Sequence, residues 1–473
     1  MPRRYRLIRS PSHRHDVQQR FPPYPTLRQI AGTKTPSSTA WTCRHFRIRT
    51  ATASAISPAS HPWFQAARHD RHSRYRRYYI WTDAPPPADP NQRNIFPDEE
   101  KTVWTYDDLA GQYYYHQFYH FEPDLDVTRA EVREEIKRVI DFWLSFGISG
   151  FRVDAVSHMI ESPHTIDDPS MAHDPHQILR ELRAFTSSRQ ADAALLGEAD
   201  VAPDQLRSFF GDGDEMHLLY NFFLNNFLFL AFALERAEPL HRALRLLPSI
   251  PDSDQWITFL RNLDELDLER LDENEREAVY QAFAPDPDMK IFGRGIRCRV
   301  ALMLNDRRRL EAAFSLLFSL PGTPLIIYGD EIGLGEDLSL KGRNAVRTPM
   351  QWSNEPQAGF STAAPESLTA PVIAEGTFGY QQVNVEDQTA DHESFLNWIK
   401  RLIRVRRQCP EWGSGIVRTF DTAEPSLPGH RGEGCGRRVL GIHNLADKTC
   451  SVKLDREADT SFMPLLSSRP HVP

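Results

Sequence analysis

Cysteine is scarce in this 473-residue chain: five residues, Cys43, Cys298, Cys409, Cys435 and Cys450, with no C-x-x-C pair among them. The odd number and the wide spacing argue against a zinc site or a disulfide framework, and they point to a reducing, cytoplasmic setting. Long apolar runs are missing too. The longest, NFFLNNFLFLAFAL at 221–234, is shorter than a membrane span and is broken by asparagines, so it reads as a buried helix. The basic N-terminus carries no apolar block of the kind a signal peptide needs, so none is expected. Acids are nearly absent from residues 1–59, which hold ten Arg and one Lys against Asp16 alone. With a total of −8, the rest of the chain therefore carries −18. A uniformly acidic body argues against a nucleic-acid or anionic-membrane partner.

What is present changes along the chain. Residues 1–59 show neither helical nor strand periodicity and are rich in Pro, Ser, Thr and Arg, the composition of an irregular basic extension. Residues 60–127 are dense in aromatics, as in HPWFQAARHDRHSRYRRYYIWTD, and read as an ordered but irregular excursion, because disordered segments are poor in Trp and Tyr. From 128 to 410, strands and helices alternate. Thr128-x-x-Glu131 is a capping-box pattern ahead of Val132, Ile136, Val139, Ile140 and Trp143 at helical spacing. ISGFRVDAV, AALLGEA, MHLLYNF, QWITFLRNL and TPLIIYGDEI read as strands. DPHQILRELRAF, PDQLRSFF, EREAVYQAF, RRLEAAFSLLFSL and residues 392–408 read as helices. Such alternation predicts a parallel sheet covered by helices. Residues 411–473 read as a short β domain, with RVLGIHNL pairing TCSVKLD.

The predicted strands end in polar residues: Asp154, Glu198, Asn221, Asp264 and Asp330. In a (β/α) barrel the carboxyl ends of the strands converge on one face and build the site. Three acids there, Asp154, Glu198 and Asp264, would repel one another unless something offsets them. Arg152 lies two residues before Asp154 and so on the same side of the strand. An arginine in that position can hold and orient a carboxylate. Paired carboxylates are what glycosidic-bond cleavage needs, one to attack the anomeric carbon and one to give and take a proton. A third can favour the transition state.

HPWFQAAR, EPDLDV, GFRVDAVSH, LLGEAD, FLRNLDEL, LPGTPLIIYGDEIGLGED and RTPMQW, in this order, resemble the motifs of the alpha-amylase family, glycoside hydrolase family 13. The resemblance covers about 61–410. With FFGDGDEMHLLYNF, NDRRRL and FGYQQVNVE it is most similar to the trehalose synthase branch. It implies an α/β fold: a (β/α)8 TIM-type barrel, here incomplete at its N-terminal side, with a small C-terminal β domain. It implies a retaining mechanism with Asp154 as nucleophile, Glu198 as general acid/base and Asp264 orienting the transition state. Arg152, His158 and Arg347 match substrate-side positions, Arg347 with an equal structural reading. Asp124 matches a position that can serve a structural calcium or be a turn residue. No cofactor is required for the chemistry. The implied substrate is a small oligosaccharide: maltose, trehalose or malto-oligosaccharides.

Some family features are missing. ATASAISPAS stands where a D-x-x-x-N-H pattern would precede HPWF, and Leu263 stands where many members have His. The first three barrel strands have no recognisable counterpart, so a truncated or frame-shifted N-terminus is expected. The leading reading is maltose–trehalose interconversion. The alternatives are a glucosidase or amylase hydrolysing malto-oligosaccharides, and an inactive carbohydrate-binding relative.

Overall fold

In GFRV the side chains alternate: Phe151 and Val153 are buried in the main core, while Gly150 and Arg152 face the other way and keep partial exposure. That alternation makes a strand with one apolar side and one side available to a site. The computed structural model describes residues 61–85, 95–96, 99–160, 174–434 and 436–452. The basic segment 1–59 and the last residues of TCSVKLD lie outside them.

The aromatic-rich excursion folds as a small antiparallel sheet of β1 (Trp81–Thr82), β2 (Trp104–Asp107) and β3 (Gln112–Tyr115), ordered β1-β3-β2. Phe64 stacks on Trp81 at 5.5 Å and meets Tyr79 and Tyr114 edge-on, so rings supply the core that short strands cannot.

Next in the chain come β4 (Gly150–Val153), β5 (Ala194–Gly197), β6 (Leu218–Tyr220) and β7 (Gln255–Phe259). A minor antiparallel sheet of β8 (Leu266–Asp267), β9 (Lys290–Ile291) and β10 (Gly295–Ile296) follows, and then β11 (Thr323–Leu325). The central sheet has the order β11-β7-β6-β5-β4, and every neighbouring pair is parallel. Its strands are joined by helices, including Gln177–Arg189, Phe222–Leu234 and Arg307–Ser319. This is the arrangement of a (β/α)8 TIM-type barrel, of which the described residues supply five strands. One face packs into the helix-covered core; the other buries Tyr220, Phe222, Ile257 and Phe259, with Leu196, Leu218 and Leu325 packed against them.

At Gly150 a Cβ would come 2.2 Å from the Ala194 carbonyl oxygen, so the tight β4–β5 approach admits only glycine there. Phe222–Leu234, the apolar run of the sequence, is buried on nearly all sides. No helix among the described residues is long and apolar enough to cross a membrane.

Several local expectations need correction. The Thr128 capping box does not form. The helix Ala130–Ser145 starts after Arg129 without a side-chain cap, because Asp126 takes the Thr128 hydroxyl and backbone N–H. TCSVKLD forms no strand in its described part. The C-terminal sheet is instead β12 (Ile416–Phe420), β13 (Gly429–Gly434) and β14 (Arg437–Ile442), antiparallel in that order. The helix Phe395–Gln408 does appear where residues 392–408 predicted one, capped by Ser394.

The C-terminal sheet is joined to the barrel at Ser319, the last residue of the helix Arg307–Ser319. His430 Nε2 lies 2.9 Å from Ser319 Oγ, His443 Nε2 lies 3.0 Å from it, and the two buried imidazoles stack at 5.4 Å.

Candidate active site

Arg152 leaves the middle of β4 and Asp154 follows the strand's end, so both reach the same side. Arg152 Nη1 donates to Asp154 Oδ1 at 2.6 Å, and its Nη2 lies 2.6 Å from Glu198 Oε2. One guanidinium thus spans the acids of two neighbouring strands. The backbone fixes the same pair: Glu198 N donates to Val153 O at 3.0 Å, Val156 N to Glu198 O at 2.8 Å, and Ala155 N to Glu198 Oε2 at 3.2 Å. Ala155 adopts φ +45°, a conformation that costs an alanine energy and that presents its N–H to the carboxylate.

Burial dominates the electrostatics. It pushes Glu198 up to about 8, with Arg152 opposing and the Asp154 charge reinforcing the shift. Burial alone would lower Arg152, but Glu198 and Asp154 raise it beyond its ordinary value, so it stays a cation. Its guanidinium carbon also stands 5.7 Å from the centre of the Tyr220 ring at the end of β6.

Asp264 lies past the end of β7, in a loop rather than on the strand as predicted. Buried Arg261 shapes that loop: its Nη2 donates to Asp264 O at 2.8 Å and its Nε to Cys298 O at 2.7 Å. Asp264 N donates to Asn262 Oδ1 at 3.0 Å. The Asp264 carboxylate meets two arginines, Arg347 Nη2 at 2.6 Å and Arg343 Nη1 at 3.2 Å. Its charge acts on both Glu198 and Arg152, which places all three acids in one electrostatic cluster.

Arg343 was not evident from sequence. It sits on the turn Gly342–Val346, is held by both oxygens of Glu265, and covers Phe96 at 4.9 Å. Buried Arg299 anchors this turn, donating to Val346 O through Nε at 3.1 Å and Nη2 at 2.8 Å, and to Tyr328 O through Nη1 at 2.8 Å. The pair of arginines in GRNAVR, four residues apart, was the available signal.

The remaining predicted residues divide. Arg347 joins Asp264, and its Nε donates to Leu263 O at 2.9 Å. His158, on the short helix Val156–Ile160, stands edge-on to Phe118 of the excursion at 5.6 Å. Asp124 accepts the Gln117 N–H at 3.2 Å. The one carboxylate trio near enough to share an ion, among the described residues, is Asp200, Asp267 and Glu269, and it does not include Asp124. Arg270 and Arg294 already face that trio. Asn221 and Asp330, the other polar strand ends, are structural: Asn221 accepts Leu224 N–H at 2.9 Å and Asp330 accepts Ile327 N–H at 3.1 Å.

Acids of two adjacent barrel strands bridged by an arginine, with a third acid opposite, can attack a glycosidic carbon and shuttle a proton. Comparison with known proteins identifies the family. The alpha-amylase catalytic domain matches residues 56–414. A trehalose synthase of Pimelobacter sp. is 37% identical over 413 residues, 84% of this chain and 71% of that protein. A trehalose synthase/amylase of Mycobacterium tuberculosis is 37% identical over 430 residues, 89% of this chain and 71% of that protein. The crystal structure of an alpha-amylase from H. orenii superposes with a TM-score of 0.63 at 22% identity, covering 83% of this chain and 69% of that one. The chain belongs to the alpha-amylase family, enzymes that act on alpha-glucosidic bonds of carbohydrates.

Proposed function

We propose that this protein interconverts maltose and trehalose by a retaining double displacement. The observation that carries the reading is the sharing of Arg152 by Asp154 and Glu198, with burial holding Glu198 protonated near neutral pH. A protonated carboxyl beside a carboxylate is the pairing that the first step requires.

Asp154 attacks the anomeric carbon of the non-reducing glucose while Glu198 gives its proton to the departing glycosidic oxygen. The carbon–oxygen bond breaks, a covalent glucosyl–Asp154 ester forms, and Glu198 is left ionised. Asp264, steadied by Arg343 and Arg347, holds sugar hydroxyls more tightly as the ring flattens. The freed glucose turns and attacks through its anomeric hydroxyl, whose proton passes to Glu198; the ester breaks and trehalose leaves. Water attacking instead gives two glucose molecules. The acids and the sugar supply every proton and bond, so no cofactor enters.

The trehalose synthases among its relatives support the isomerising outcome. The test is product analysis after incubation with maltose, beside Asp154→Asn. Trehalose from the unmutated protein alone is expected. Glucose as sole product would replace isomerisation by hydrolysis, and no turnover by folded protein would overturn the catalytic reading.

A further inference from the structure

The motif LPGTPLIIYGDEIGLGED contains an acid that the catalytic reading does not use, Glu336. It stands where two supports of the turn Gly342–Val346 meet. That turn carries Arg343, Arg347 follows it, and both arginines hold Asp264. One support is the next residue in the chain: Asp337 N donates to Ala345 O at 3.0 Å. The other is Arg299, whose guanidinium holds Val346 O and whose backbone N donates to Glu336 Oε2 at 3.1 Å. Glu336 is thus one residue from the first support and one hydrogen bond from the second.

Charge gives this carboxylate a task. Arg299 and Arg261 are each 1% exposed, and Arg299 disfavours the charge on Arg261. The Arg299 guanidinium donates to carbonyls, which bring no counter-charge. The acids that feel it are Asp330, with Oδ1 4.0 Å from Nη1, Glu331 and Glu336. A buried cation stripped of its acids is costly. Glu336 is partly buried; its Oε1 is shielded from solvent, and no donor among the described residues meets that atom in hydrogen-bond geometry. Burial raises the Glu336 carboxyl to about 7, with Arg299, the Cys298 thiol and Arg261 opposing. Its charged form therefore prevails above neutral pH and is lost below it. Burial also raises Asp330 to about 7 and raises Glu331, while Arg297 donates to Leu338 O nearby.

We infer that Glu336 is a positioning residue for Asp264, acting through Arg299 and the turn that carries Arg343. As a carboxylate it holds the Arg299 N–H and offsets the buried guanidinium charge, so the turn keeps both arginines on Asp264. Protonation removes that charge and loosens the turn. The inference rests on the alpha-glucoside reading for what Asp264 does, and it adds a group behind the site that sets how firmly Asp264 is held.

The experiment follows hydrogen exchange of the peptide 341–347 in the full chain between about pH 6 and about pH 8.5, corrected for the intrinsic pH dependence of exchange. Maltose kcat and KM are measured in parallel. In the unmutated protein the turn is expected to exchange about tenfold faster at the acid end than at the alkaline end. Glu336→Gln should exchange fast throughout and lower kcat about tenfold above neutral pH with KM little changed, because Asp264 is needed most in the transition state. Glu336→Asp should restore both, and Asp330→Asn should keep the transition. Exchange that does not change across neutral pH in the unmutated protein overturns the inference, whether or not a variant folds. So does a transition that survives Glu336→Gln and disappears in Asp330→Asn. An exchange transition without maltose turnover supports the positioning role and removes the alpha-glucoside reading instead, so the two failures are distinguishable.

Discussion

Glu198 sets the pH behaviour of the site. Its carboxyl is raised by burial from 4.5 to about 8, so the acid form is available at neutral pH and is lost above it. The turnover number should fall as pH passes about 8, read from a pH–rate profile. Glu198→Gln should cut turnover about 10³-fold by removing the proton donor. The same shift bears on stability. A group with a raised folded pKa favours folding most below its unfolded value and loses that contribution as pH climbs to the folded value. Unfolding midpoints should therefore show Glu198→Gln gaining on the unmutated protein between about pH 4.5 and about 8, and holding that gain above. A parallel pair of curves would mean that Glu198 is not buried as described. At this scale the sequence was informative because Arg152 and Asp154 share a strand, and strand parity fixes their side. It left Asn221 and Asp330 without a role, since a polar residue at a strand end looks the same whether it faces a ligand or, as here, an amide three residues away along the chain. Arg343 was hidden because its partners Asp264 and Glu265 are remote in sequence.

Short elements do the positioning. Gly150 lets β4 approach β5 closely enough for Arg152 to span both acids. Gly150→Ala forces a methyl into the Ala194 carbonyl and should cost about 3 kcal/mol, measured by denaturant unfolding, with activity lost in whatever still folds. Arg299 does the corresponding service for Asp264 by anchoring the turn that carries Arg343. Arg299→Ala strands the buried carbonyls of Val346 and Tyr328 and should also cost about 3 kcal/mol. A loss below 1 kcal/mol would show that the turn holds itself. The central strands were legible because branched and aromatic residues cluster in them. The C-terminal strand β13 was not, because GHRGEG has three glycines and no alternation; Gly432 lies where a Cβ would meet the Trp412 ring at 2.9 Å. The Thr128 box failed for a local reason, competition from Asp126.

For the molecule as a whole, the barrel was readable from the rhythm of strand and helix, whereas the way its C-terminal sheet is fastened was not. The fastening includes three residues far apart in sequence, Ser319, His430 and His443, beside hydrogen bonds from Ala237 N to Pro425 O and from Gln255 Nε2 to Gly413 O, and no periodicity announces it. Burial lowers His430 to about 4, with the Ser319 hydrogen bond opposing and His241 reinforcing the shift, and burial pushes His443 well down, with the His430 imidazole reinforcing it. Groups with a depressed folded pKa support folding above their unfolded value and withdraw that support as pH falls. Stability should therefore drop between about pH 6.5 and about 4, and His430→Gln should flatten that limb of the curve. If the slope is unchanged, other groups carry it.

The same three residues set an order of failure. Acid reaches the neutral imidazoles at the rear of the barrel while Glu198, at the mouth, still keeps its proton. Acid would thus loosen this one joint of the C-terminal sheet without changing the charge on Glu198. The loss is mechanical at that joint, where the proton goes onto a buried ring and not onto the donor of the site.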